Sequence, residues 1–169
     1  MASRMARYKT PWTLCACEGI AVNARPNKFT KAELDSFIVA IAAGGAHSLA
    51  WRRNGGVACW GWNNHGKAPP AGVEGDFVAI AAGSRHSLAL RRNGTSVACW
   101  GFNQLGQAPP GGMDGDFVAI GAGAHFSVAL RRDGSVACWG RNDAGQAPAD
   151  GVPGPFKTPE VCNIRVVTK

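Results

Sequence analysis

Two histidines stand at the same register of near-identical phrases: "IAAGGAHSLAWRRNG" from Ile41 carries His47, and "IAAGSRHSLALRRNG" from Ile80 carries His86. An imidazole titrates close to neutral pH, which makes it a first candidate for proton transfer or metal ligation. Either use needs partners that converge on the ring, and histidines that recur about 40 residues apart in successive copies of one phrase are poorly placed to share them. A third version of the phrase puts Phe126 in the histidine slot and His125 one place early. A ring that phenylalanine can replace is expected to pack, or to bond a neighbouring carbonyl, so His47 and His86 read as scaffold residues.

Cysteine is the other group with chemistry to offer, and the chain holds six. Cys59, Cys99 and Cys138 each fall in the phrase "VACWG", as three copies of one small buried apolar residue would. Thiols one repeat apart are poorly placed to pair. Cys15, Cys17 and Cys162 lie outside that phrase, and "CAC" without a second ligand pair is a weak metal cue. A reducing compartment is the simpler expectation. No phosphate-cradling glycine loop follows a strand, and neither a nucleophile elbow nor a repeating pair of carboxylates is present. The sequence thus predicts a non-enzyme with no metal and no cofactor.

What positions these residues is a repeat. Copies begin at Phe37, Phe77 and Phe117 and divide the chain into residues 37–76, 77–116 and 117–154. A period near 40 residues held over three copies marks stacked or radial units. Each copy reads as an apolar run rich in small residues ("FVAIAAG"), an alternating run ("HSLALRR") and a second alternating run ("SVACWG"). Asn-Gly or Asp-Gly between the last two predicts a type I′ hairpin with positive φ at both residues. "GQAPPGG" and its equivalents are the loops between copies, because proline cannot donate inside a sheet. Helix is expected only over residues 31–38, where Thr30 can cap and Glu33 can complete a capping box. Residues 1–36 form an extension able to cap the first copy, and residues 155–169 a degenerate fourth repeat or capping tail. The fold class that follows is all-β: a β-propeller-like array of three short three-stranded blades, partial or completed by oligomerisation, with irregular ends. The "AIAAG" strands, small enough for crowded quarters, should lie innermost.

"IAAGSRHSLAL" over residues 80–90 and "CWGFNQLGQ" over residues 99–107 together resemble the repeat of the regulator of chromosome condensation family. The likeness covers residues 37–154. Copy one departs at Trp51, where an aliphatic is expected, and at Lys67, where Gln is expected. The resemblance implies a propeller whose full members close a seven-bladed ring. It also implies, as an alternative function, guanine-nucleotide exchange on a small nuclear GTPase with chromatin association.

Whatever repeats holds the fold, and whatever varies within the repeat is where function is sought. His47 and His86, with Trp60, Trp100 and Trp139 of "CWG", are the structural positions. Trp62, His65, Arg85, Phe102 and Arg141 vary at turns and are the candidate partner-binding residues. Arg52, Arg53, Arg91, Arg92, Arg131 and Arg132 flank the hairpins and form a candidate basic rim, either solvated strand ends or a surface for an acidic partner. The formal net charge is +7, but residues 37–154 hold 9 basic and 7 acidic groups, so most of the excess lies in the two ends. Nucleic-acid binding is therefore the lesser expectation, and the main one is a protein-interaction module with another protein, or a second copy of itself, as partner. No stretch of about 18 apolar residues predicts a membrane helix. An intracellular site, cytoplasmic or nuclear, is expected, and the acid-free first 17 residues allow organelle targeting.

Overall fold

The hairpin dipeptides do not turn as predicted. In the computed structural model, which describes residues 37–156, Gly55, Gly94 and Gly134 have positive φ, but Asn54, Asn93 and Asp133 do not. Gly55 N–H donates to the Arg52 carbonyl at 2.9 Å and Arg52 N–H donates to the Gly56 carbonyl at 2.8 Å. This is a type I turn closed by a left-handed glycine, the three-residue hairpin with a G1 bulge. The side chain before the glycine stabilises it: Asn54 Oδ1 accepts from Gly56 N–H at 3.0 Å, Asn93 Oδ1 from Thr95 N–H at 3.1 Å, and Asp133 Oδ1 from Ser135 N–H at 2.8 Å. An Asx turn of this kind replaces the second left-handed residue that a type I′ turn demands.

These turns build three antiparallel blades in chain order. Strands β1 (Ile38–Ala43), β2 (His47–Arg52) and β3 (Val57–Gly61) form the first. The second contains β4 (Phe77–Ala82), β5 (His86–Arg91), β6 (Ser96–Gly101) and β7 (Met113–Asp114), and the third β8 (Phe117–Ala122), β9 (Phe126–Arg131) and β10 (Val136–Gly140). The second blade thus has four strands where three were expected. In the other two, a single bridge, Val57 to Val73 or Val136 to Val152, stands where β7 pairs. Each first strand shifts register at the same point, between Ile38 and Ala40, Phe77 and Ala79, and Phe117 and Ala119. Ile38 opens β1, so the predicted helix does not reach it, and the rest of that helix through Ser36 lies outside the described residues. Cys15, Cys17, Cys162 and both proposed end caps, apart from Pro155 and Phe156, lie outside them as well.

The core sits between blades. Leu49, Val57 and Cys59 of the first blade meet Ile80, Ala82, Ala89 and Trp100 of the second. Leu88, Leu90, Val97 and Cys99 of the second meet Ile120, Ala122, Ala137 and Trp139 of the third. Period-two alternation explains both contacts, since successive side chains leave a strand on opposite faces. β1, β4 and β8 pack side by side, and their small-residue corners, Ala43 to Gly45, Ala82 to Ser84 and Ala122 to Ala124, line one open groove. Among the described residues no helix is long and apolar enough to cross a membrane.

Candidate functional site

The repeated histidines bond across the blade junctions. His47 Nε2 lies 2.8 Å from Ser87 Oγ, and His86 Nε2 lies 2.9 Å from Ser127 Oγ. Each serine donates its hydroxyl proton onward, Ser87 to the Lys67 carbonyl and Ser127 to the Gln107 carbonyl, both at 2.9 Å. A hydroxyl has one proton to give, so its oxygen accepts from the imidazole and the network assigns the ring proton to Nε2. The same two carbonyls accept from Trp100 Nε1 and Trp139 Nε1 at 3.0 Å. Imidazole, hydroxyl, carbonyl and indole thus form one relay per junction, with the ring bonding a hydroxyl where a carbonyl was expected. Burial holds His47 below its ordinary value, with the Lys67 ammonium adding to it, and takes His86 down to about 4, with the neighbouring His125 and His47 rings contributing less. Trp60 has no such relay partner among the described residues and is 53% exposed.

A glycine three residues before each ring explains the spacing. A Cβ on Gly83 would lie 2.2 Å from His86 Cε1 and 2.6 Å from the Gly123 carbonyl oxygen, and Gly44 is boxed in the same way by His47 and Gly83. Phe126 fills this slot in the third blade, its ring against Gly123.

The rim arginines of the second and third hairpins are engaged within the fold. Arg92 pairs with Asp76 at 2.6 Å and Arg132 with Asp116 at 2.9 Å. Arg91 and Arg131 lie over the rings of Phe77 and Phe117, 5.6 and 5.8 Å from their centroids. Arg52 and Arg53 are half-buried. Cys59, Cys99 and Cys138 are free and buried, and burial pushes the first two thiols up to about 11 and about 12. Few thiolates form under such conditions, so these cysteines are poor nucleophiles.

Three of the five variable residues, His65, Arg85 and Phe102, come together where the loops of the first two blades meet, and Trp62 adjoins them through Lys67. His65 packs edge-on to Phe102 with centroids 4.8 Å apart, and the Arg85 guanidinium lies 5.7 Å from the centroid of the same Phe102 ring. Trp62, 60% exposed, carries Lys67 Nζ over its ring at 4.3 Å. His65 has a φ of 68°, the one non-glycine residue in the left-handed region among those described. Such a conformation costs about 1 kcal/mol and persists where the surroundings demand it. Arg141 stands apart on the third blade, bonded through Nε to both carboxylate oxygens of Asp143 at 2.8 Å. That pairing, with Gln146 assisting, draws the Asp143 carboxyl down to about 2.

Sequence reasoning passed over Lys67 and the relay serines. Lys67 was visible as the departure from Gln, and Ser48, Ser87 and Ser127 as the residue that follows the ring slot in every copy. Lys67 is buried with its ammonium on the Asn64 carbonyl at 3.2 Å, and burial, with Arg85 nearby, lowers its pKa. Trp62, His65, Arg85 and Phe102, with the buried Lys67 ammonium beneath Trp62, make a cationic-aromatic patch that can grip a carboxylate-bearing chain by charge and ring contact.

Three segments, residues 38–67, 77–107 and 117–146, match the family model of the regulator of chromosome condensation (RCC1) repeat. No curated protein matches by sequence. Among solved structures, the entire ectodomain of the receptor kinase CR4 from Physcomitrella patens is 30% identical with a TM-score of 0.53, over 69% of this chain and 32% of that one. Yeast RCC1 (Prp20), solved bound to Kap60, is 25% identical with a TM-score of 0.58, over 76% and 34%. Prp20p from Saccharomyces cerevisiae, described with its binding to Gsp1p and histones, is 24% identical with a TM-score of 0.56, over 82% and 39%. The chain therefore spans about a third of the length of each of these proteins, and the last likeness speaks to fold alone.

Proposed function

This chain belongs to the regulator of chromosome condensation (RCC1) repeat family, and from that premise we propose that it is a non-catalytic protein-interaction module. Its patch of Trp62, His65, Arg85 and Phe102, backed by the buried Lys67, takes an acidic segment of a partner protein. The observation that carries this reading is the convergence itself. Residues that differ between copies meet across one blade junction, His65 and the exposed Arg85 guanidinium both on the Phe102 ring, with the exposed Trp62 indole under the Lys67 ammonium. Elsewhere in the repeat Arg92 and Arg132 are ion-paired, Arg91 and Arg131 lie over phenylalanine rings, and the thiols are buried. Among the described residues no group of three or more His, Cys, Asp or Glu side chains is placed to hold a metal ion.

Panning a displayed random peptide library against the full chain tests this. The selected peptides should be rich in Asp and Glu, lose at least tenfold in affinity to Trp62→Ala or Arg85→Ala, and bind Arg92→Ala normally. Selection without acidic enrichment, or equal binding to all three variants, contradicts the reading. Guanine-nucleotide exchange, the alternative implied by family resemblance, requires accelerated nucleotide release from a small GTPase. On the present reading micromolar protein produces none.

A further inference from the structure

The two blade junctions are copies of one interface, and among the described residues the outer blades each present an unmated half of it. On the first blade, Ile41 is 77% exposed, whereas its equivalents Ile80 and Ile120 are half-buried against the preceding blade. Ser48 Oγ and Trp60 Nε1 make no hydrogen bond among the described residues, although Ser87, Ser127, Trp100 and Trp139 all donate to a carbonyl of the preceding loop. On the third blade, the carbonyl at the matching position, Gln146, accepts no bond among the described residues. Val128, Leu130 and Val136 are half-buried where Leu88, Leu90 and Val97 are buried. We infer that the chain associates with a second copy head to tail, the third blade of one seating on the first blade of the other.

The fit follows the internal template. Ser48 and Trp60 of one copy donate to the Gln146 carbonyl of its neighbour, and Ile41 covers the leading apolar face of the third blade. Phe126 supplies ring contact where the internal junctions supply a histidine. Residues 1–36 are an inferior occupant. They contain neither the Gly-x-x-His step nor the Trp-Gly-x-Asn-x-x-Gly phrase that provides the carbonyl. A contact between two different faces leaves one free half at each end, so it propagates or closes a ring.

Sedimentation of the full chain from micromolar to millimolar concentration tests the inference. The expected result is mass rising with concentration. Ile41→Asp, at an exposed site, should abolish the rise, and Trp60→Phe, which keeps the ring but removes the N–H, should weaken association about five- to tenfold. Mixing Ile41→Asp with Val128→Asp should restore a dimer but nothing larger, because one intact interface remains. A wild-type monomer at every concentration overturns the inference and assigns the first face to another occupant. Association that Ile41→Asp leaves unchanged also overturns it.

Discussion

His86 Nε2 lies 2.9 Å from Ser127 Oγ, 41 residues along the chain, and that hydroxyl gives its own proton to the Gln107 carbonyl. The Nδ1 atom of His86 is buried with no hydrogen-bond partner. A second ring proton would therefore introduce a charge with nothing to accept its hydrogen bond. The ring is built to stay neutral.

Stability should accordingly fall in acid. The folded pKa of His86, about 4, lies below its ordinary 6.5, so between those values the unfolded chain binds a proton that the folded chain refuses. Stability from this ring is complete above the upper value and drains as pH falls through the window, by about 3 kcal/mol at pH 4. His47 shifts in the same direction and adds to the loss. Urea unfolding at pH 7, 5.5 and 4 measures it. His86→Phe, copying the residue of the third blade, should flatten the dependence, and a midpoint that does not move in the wild type would contradict the account.

Ser127→Ala should cost about 1–3 kcal/mol, because it strands the buried imidazole N–H while the Gln107 carbonyl keeps only its bond from Trp139. Ser48→Ala, whose hydroxyl has no partner among the described residues, should cost less than 0.5 kcal/mol in the monomer by the usual scale of surface substitutions. Thermal melts of the two variants at one dilute concentration compare them.

How legible the molecule was follows from what a sequence records. Repetition made the blades plain, and the small residues of "AIAAG" marked the strands that pack side by side from blade to blade. The loop positions of Trp62, His65, Arg85 and Phe102 were readable as variation between copies. Their meeting across a junction was not, because it depends on how far one blade turns relative to the next. The hairpin type was misread for a local reason: Asn-Gly serves either a type I′ turn or a type I turn with a following left-handed glycine, and the Asx bond to the residue beyond decides it. The engagement of the rim arginines escaped notice for a third reason, since Asp76 lies 16 residues from Arg92 and only the fold brings them together.

Glycine at the step before the ring should be irreplaceable. Gly83→Ala sets a methyl 2.2 Å from His86 Cε1 and against the Gly123 carbonyl oxygen, so either the ring or the blade must move. A loss of about 2 kcal/mol or more is expected, in the range of overpacked cores. Gly111→Ala, with nothing within 4 Å and no left-handed φ, should change stability by less than about 0.5 kcal/mol. Chemical denaturation of both variants gives the comparison.

His65→Gly should separate stability from binding. Glycine relieves the left-handed backbone at φ 68° and should raise stability by up to about 1 kcal/mol. It also removes the ring packed on Phe102, and affinity for an acidic peptide should fall. The melting temperature and the peptide Kd of one preparation report both.

The most direct test of the central claim is a backbone amide NMR shift map recorded while an acidic peptide selected on this chain is added. The account predicts the largest changes at Trp62, His65, Arg85 and Phe102, with the hairpin ends quiet. Largest changes at Arg91, Arg92, Arg131 and Arg132 would place the partner on the rim and contradict it.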